Sequence, residues 1–208
     1  MGKDRCGLVL DSLAHVEPSK MRITGAYSAV GTAHMLELCR SIGTVSEIAF
    51  HNSIPPDLPP NLIAVGGPLG NSVTKFHLDR SCPGFQPYYD EDSFVYPDGR
   101  VPAGWDCGGQ RFQNSDDEVV GFVVKLTSML TRHNGVVHLV FGKSDIGTAA
   151  AAYYLSEYTR DIYVGHRDRP YFLAIKVSRV MGYRSISSEV VDLTGPAFQA
   201  LQRGSGEP

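Results

Sequence analysis

Residues 136–158 read VVHLVFGKSDIGTAAAAYYLSEY, and the meaning of this stretch decides the fold. The apolar run at 136–141 is continuous and too short for a helix, so it reads as a buried strand ending at Gly142. A polar loop, Lys143-Ser144-Asp145, leads to Gly147 and Thr148, where an alanine-rich helical pattern begins and continues to about Tyr158. Strand, glycine loop and capped helix are the parts of a βα unit. They are equally the parts of a phosphate cradle, because unpaired N–H groups and the positive end of the helix dipole gather at a helix start.

The unit recurs. ITGAYSAVGTAHMLEL from Ile23, VGGPLGNSVTKFHL from Val65 and VFGKSDIGTAAAAYYL from Val140 each run from a strand through glycine and a short loop to a threonine near a helix start. Thr32, Thr74 and Thr148 occupy equivalent places; Gly31 and Gly147 directly precede the first and third, while Gly70-Asn71 lies slightly earlier in the second. Any α/β protein needs glycine and a capping residue at its βα turns, so one copy says little. Three copies imply that two face each other across a crevice at the carboxyl edge of the sheet. The expected cradle is Ser28, Gly31 and Thr32, then Gly67, Asn71 and Thr74, then Gly142, Ser144, Gly147 and Thr148, with Lys143 or Arg167 neutralising charge. No copy is a Walker A loop, and none is a GxGxxG followed by an acidic residue at the end of the next strand.

Around these units the chain reads as alternating strands and helices. MRITG at 21–25 reads as a short strand before a helix that Gly43 stops, VSEIAF as a second strand, and the proline-rich 51–61 as an extended connector. NLIAVGG at 61–67, the β-branched start of 118–130 and the alternating 171–181 are further strands, the last forming an antiparallel hairpin with SSEVVDLT. Residues 80–118 show little periodicity beyond a hairpin turn at Asp98-Gly99, and read as an irregular insertion or lid. The expected fold is α/β: a Rossmann-like, mainly parallel sheet with helices on both faces, plus a C-terminal antiparallel hairpin. One domain spans 1–204, and 205–208 form a disordered tail.

Composition narrows the function classes. A net charge of −3 argues against a broad nucleic-acid face. No apolar run approaches the ~18–20 residues of a membrane span, and the start lacks the pattern of a signal peptide. Gly2 invites myristoylation, but Cys6 stands where that signal wants Ser or Thr. Cys6, Cys39, Cys82 and Cys107 are widely spaced and read as reduced thiols of a cytoplasmic protein. The histidines form no metal-ligand spacing, and no motif calls for a cofactor.

GGPLGNSVT at 66–74 and FGKSDIGTAAAAYYL at 141–155 resemble the loops of Rossmann-like nucleotide-binding proteins of the SLOG class, which includes LOG-type phosphoribohydrolases. The similarity covers about half the chain. It departs from the PGGxGTxxE signature: Gly66-Gly67-Pro68 reverses the order, and no Glu follows Thr74 or Thr148 in the matching place. The resemblance implies a nucleotide- or nucleoside-derived ligand in a bacterial signalling or defence setting, while the missing Glu puts N-glycosidic hydrolysis in doubt.

If a reaction occurs, Asp145, Asp90 and Glu91 are the candidate acids or bases for hydrolysis or transfer at a glycosidic bond, Asp145 being inside the third loop. Asp90 and Glu91, beside Tyr88 and Tyr89, read more simply as a solvated acidic loop. Arg167 sits in GHRDRP (165–170), either a phosphate contact or a charged turn, and Trp105 in AGWDCGG has the look of a gate. The rival reading is a non-catalytic sensor module, oligomerising through an apolar strand edge in 171–193.

Overall fold

The computed structural model describes residues 5–10, 26–50, 59–91, 93, 95–96, 99–130 and 135–199. The first half contains β1 (Arg5–Leu10), α1 (Ala26–Ser41), β2 (Val45–Phe50), β3 (Asn61–Val65) and α2 (Ser72–Ser81). A run of short strands follows: β4 (Phe85–Tyr88), β5 (Val95–Tyr96), β6 (Gly99–Arg100), β7 (Gly104–Cys107) and β8 (Gln110–Gln113). The second half contains β9 (Glu118–Thr127), β10 (Val136–Gly142), α3 (Asp145–Glu157), α4 (Thr159–His166), β11 (Tyr171–Ser178), β12 (Ile186–Asp192) and α5 (Thr194–Phe198).

Seven strands form the main sheet in the order β12-β11-β9-β10-β3-β1-β2. The pairings β2–β1, β1–β3 and β3–β10 are parallel; β10–β9, β9–β11 and β11–β12 are antiparallel. The sheet is therefore mixed, which corrects the expectation of a mainly parallel, Rossmann-like one. The reason is connection length. Only residues 128–135 separate β9 from β10, far short of the dozen or more residues that a parallel crossover requires, so the two pair as a hairpin. The α3–α4 crossover then carries the chain past β9 to β11, which runs in the same direction as β10. The antiparallel return of β12 on β11 is as expected.

Each face of the sheet buries a core. On one, Met35 and Cys39 of α1, Ala150–Ala152 and Leu155 of α3 and Ile162 of α4 cover Leu8, Val65, Val123, Val140 and Ile175. On the other lie α2 and a layer that the sequence pattern does not announce. Residues 85–113 are not an irregular lid: β4, β7 and β8 make a three-stranded antiparallel sheet. Phe85, Trp105 and Phe112 of this layer pack onto Phe122, Phe141 and Phe172 of the main sheet. Phe85 stacks on Trp105 at 5.8 Å and meets Phe122 edge-on at 5.1 Å, contacts worth about 0.5–1.5 kcal/mol each beyond area burial. Trp105 is thus a 5 % exposed core residue and no gate. β5 and β6 pair as the expected hairpin, with Asp98 of its turn outside the described residues. The strand expected at 21–25 and the tail at 205–208 also lie outside them. No helix among the described residues is long and apolar enough to cross a membrane.

Candidate functional site

β3 and β10 are parallel neighbours in register, Val65 beside Val140, so the second and third glycine loops leave the sheet side by side. The Gly66 N–H donates to the Val140 carbonyl at 3.0 Å, and a side chain at Gly67 would begin 3.1 Å from the Gly142 carbonyl oxygen. Between the loops lies a crevice of about 150 Å³ lined by Gly67, Gly142, Lys143, Ser144, Asp145 and Thr148, with Val101, Pro102 and Trp105 on its other side. The Lys143 ammonium donates to the Ala103 carbonyl, tying the third loop to the chain segment between β6 and β7.

Several residues expected to cradle a ligand are instead committed to the fold. Asn71, fully buried, caps α2: its Oδ1 accepts from the N–H groups of Val73 (3.0 Å) and Thr74 (3.2 Å). Its Nδ2 donates to the carbonyls of Val9 and Val65, both at 3.0 Å, joining the ends of β1 and β3 to the helix. The Thr74 hydroxyl donates to Gly66 O at 2.9 Å. The N-terminus of α2 therefore spends these donors and acceptors internally. At the third loop, Ser144 caps α3 by accepting from the Gly147 N–H at 3.4 Å, and the Thr148 hydroxyl donates back to the Ser144 carbonyl at 3.3 Å. Gly142 and Gly147 are packing glycines: Cβ atoms there would fall 2.7 Å from Gly147 C and 2.4 Å from Val120 O.

The first copy departs most from expectation. Gly31 and Thr32 lie in the second turn of α1, not at its start, because the helix already begins at Ala26. A Cβ at Gly31 would sit 3.4 Å from the Ala152 methyl and 3.8 Å from Ala149 Cα, so this glycine lets α1 approach α3. Ser28 is in the first turn of α1, its side chain outside the described residues. Neither Gly31 nor Thr32 is among the residues lining the crevice.

Asp145, the first residue of α3, is the one carboxylate lining the crevice among the described residues, and Lys143 the one cation. Asp90 and Glu91 do not line it; Asp90 accepts from the Ser93 hydroxyl at 2.9 Å in a local turn on the small-sheet layer. The sequence therefore supplies an acid–base pair that the fold does not bring together.

Arg167, expected beside the phosphate, lies at the opposite edge of the sheet. It lines a larger cavity of about 390 Å³ between α1, α3, α4 and the sheet, together with Lys125, His138 and Tyr171. Lys125 stands across the β9–β10 ladder from His138 and across the β9–β11 ladder from Tyr171. The Lys125 ammonium donates to the Arg167 carbonyl at 2.9 Å. Sequence reasoning overlooked this constellation, although His138 and Lys125 are the polar residues interrupting two apolar strands. Burial, and secondarily the Lys125 charge, hold the His138 imidazole down to about 4. Such a group is neutral in the folded chain and protonates more readily when unfolded, so its stabilising contribution is complete above pH ~6.5 and is lost as pH falls toward 4. His138→Gln should flatten the pH dependence of urea-unfolding stability across that window, by at most about 3 kcal/mol. An unchanged slope would assign the acid sensitivity to other groups.

The four cysteines are free and buried. The Cys107 thiol is pushed up to about 11 by burial and by Asp106, which leaves little thiolate at neutral pH. Cys82 is pushed up to about 12 by burial and by Cys107, and Cys6 is raised by its hydrogen bond with Cys39 and by burial. No group of three or more metal-ligating side chains occurs among the described residues.

The fold is that of a mixed-sheet α/β protein whose second and third glycine loops border one small crevice. The chain matches no protein-family model, and no curated protein matches its sequence.

Proposed function

We propose that the chain binds a phosphate-bearing ligand of the nucleotide or nucleoside class, with the phosphate seated between the second and third glycine loops. The observation that carries this reading is the start of α3. The Asp145 and Ile146 N–H groups precede any intrahelical acceptor and have no other partner among the described residues, and Lys143 lies beside them. The contrast with α2, whose Val73 and Thr74 N–H groups are spent on Asn71, favours α3 as the anion end. The crevice, at about 150 Å³, is smaller than the ~300–1,000 Å³ of pockets that enclose a whole ligand, so it takes the phosphate while the remainder projects outward. Lys143 exchanges its Ala103 carbonyl partner for the phosphate. The reading belongs with a cytoplasmic protein of bacterial signalling or defence and with the SLOG resemblance of the loops.

Binding is the primary claim, and a reaction is secondary. Hydrolysis or transfer at a glycosidic bond would rest on Asp145 alone, without a second carboxylate at the crevice. Thermal stability measured against NAD, ADP-ribose, nucleoside monophosphates and cyclic nucleotides tests the claim. A ligand at ~100-fold excess over its Kd adds about 2.7 kcal/mol. Lys143→Ala should remove most of the shift, whereas Asp145→Asn should preserve it and abolish any turnover. No shift with any member would overturn the proposal. The rival oligomerising module finds support in Val180 and Met181, 84 % and 79 % exposed at the turn before β12, but Glu189 and Asp192 expose charge along that edge strand.

A further inference from the structure

The cavity at the opposite edge of the sheet has the attributes of a second ligand site. Its floor is the start of the parallel strands, including Cys6, Ile63 and Val136, and its walls are Leu38 of α1, Leu155 of α3 and Ile162 of α4. At about 390 Å³ it falls within the ~300–1,000 Å³ of small-molecule pockets. Its mouth carries two large apolar side chains facing solvent, Ile42 at 64 % and Tyr163 at 60 % exposure. A half-open apolar chamber with exposed apolar residues at the opening favours a ligand with a long hydrocarbon or aryl portion.

The polar groups of the cavity are one-sided. Lys125 and Arg167 are both among its lining residues, with His138 directly across the ladder from Lys125. Asn61 adds an amide: its Oδ1 accepts from the Val136 N–H at 3.1 Å, which turns its NH₂ away from that bond. No Asp or Glu lines the cavity among the described residues, and the Arg167 guanidinium makes no ion pair among them. Asp161 of α4 and Asp168 lie close in sequence but outside the lining. Two cations at the end of an apolar chamber, with no carboxylate among the described residues that line it, are complementary to one anionic head group.

The geometry points to a binding site for a monocarboxylate with an extended apolar body, its carboxylate between Lys125 and Arg167 and its chain running under α1 and α4. The site is separate from the glycine-loop crevice and does not depend on the reading of that crevice.

Calorimetric titration of the full chain with octanoate, 1-octanol and octyltrimethylammonium tests the inference. Octanoate should bind one to one, with octanol about tenfold or more weaker for want of the charged contacts, and the cation weaker still. Arg167→Gln, a change at the exposed mouth, should weaken octanoate about tenfold and leave octanol unchanged. Ile162→Trp should fill the chamber and abolish octanoate binding, and its thermal unfolding shows whether the variant is folded. Lys143→Ala should leave octanoate affinity intact, which separates this site from the phosphate crevice. Octanol binding as tightly as octanoate, an Arg167→Gln protein with unaltered octanoate affinity, or no octanoate binding at millimolar concentration would each overturn the proposal.

Discussion

Gly147→Ala should destabilise the fold by about 3 kcal/mol, at the top of the range usual for overpacking a core, although alanine is the better helix former. The Cβ of residue 147 would fall 2.4 Å from the Val120 carbonyl oxygen and 3.1 Å from its carbon. Those are backbone atoms of β9, held on one side by β10 and on the other by β11, so no flexible side chain can give way. The contact is reciprocal. A Cβ at Gly121 would meet Gly147 O at 2.2 Å, and one at Gly142 would meet the backbone of Gly147 and Thr148 at 2.7 Å. Gly121 and Gly142 stand opposite each other in the β9–β10 ladder, so α3 rests on a floor without side chains. Gly165 is the control. It lies in α4, where an added methyl would have nothing within 4 Å, and Gly165→Ala should be neutral or stabilising by about 0.5–1 kcal/mol. Urea unfolding of the two variants gives the comparison. A Gly147→Ala protein as stable as the parent would mean that α3 does not sit directly on β9. The same geometry disqualifies Gly147 as a reporter of ligand binding, since its substitution disturbs the helix seat first; Lys143 and Asp145, at the crevice surface, are the informative positions.

Periodicity carried the elements well and their directions poorly. The apolar runs of β3, β9 and β10 and the alternation of β11 identified strands, and the capped starts of α2 and α3 identified helices. Strand direction is absent from such patterns, because a strand buried on both faces reads the same either way. The information lay in the eight residues 128–135, too few for a parallel crossover. The repeat misled at its first copy because Gly31-Thr32 matches Gly147-Thr148 as a dipeptide while occupying a different turn of its helix. There glycine serves close approach to Ala149 and Ala152, a tertiary demand that a local motif does not encode. Residues 85–113 hid a sheet because its strands are four residues each, too short for alternation to show. The crevice was legible to the extent that adjacent loops follow from adjacent strands. The carboxylate cavity was not, since His138 and Lys125 become neighbours only once the β9–β10 register is known.

Asn71→Ala should cost about 3 kcal/mol or more, from two sources. Loss of the α2 cap accounts for about 0.5–2 kcal/mol. The carbonyls of Val9 and Val65 each lose a donor in a fully buried site, at about 1–3 kcal/mol per orphaned group, and the two sources overlap, since they share one side chain. Asn71→Asp distinguishes the capping role from the bridging role. The carboxylate retains an acceptor for the Val73 and Thr74 N–H groups, but sets a charged oxygen 3.0 Å from two carbonyl oxygens where Nδ2 stood. At neutral pH this variant should be at least as unstable as Asn71→Ala. Its folded-state carboxyl is raised above the unfolded value of ~3.9, so protonation restores a donor and the deficit relative to wild type shrinks as pH falls through the folded value. Urea unfolding of both variants across that range supplies the test. An aspartate variant as stable as wild type at neutral pH would show that capping alone matters. The expected deficit would instead show Asn71 acting as the joint of β1, β3 and α2, with its amide fully engaged inside the fold.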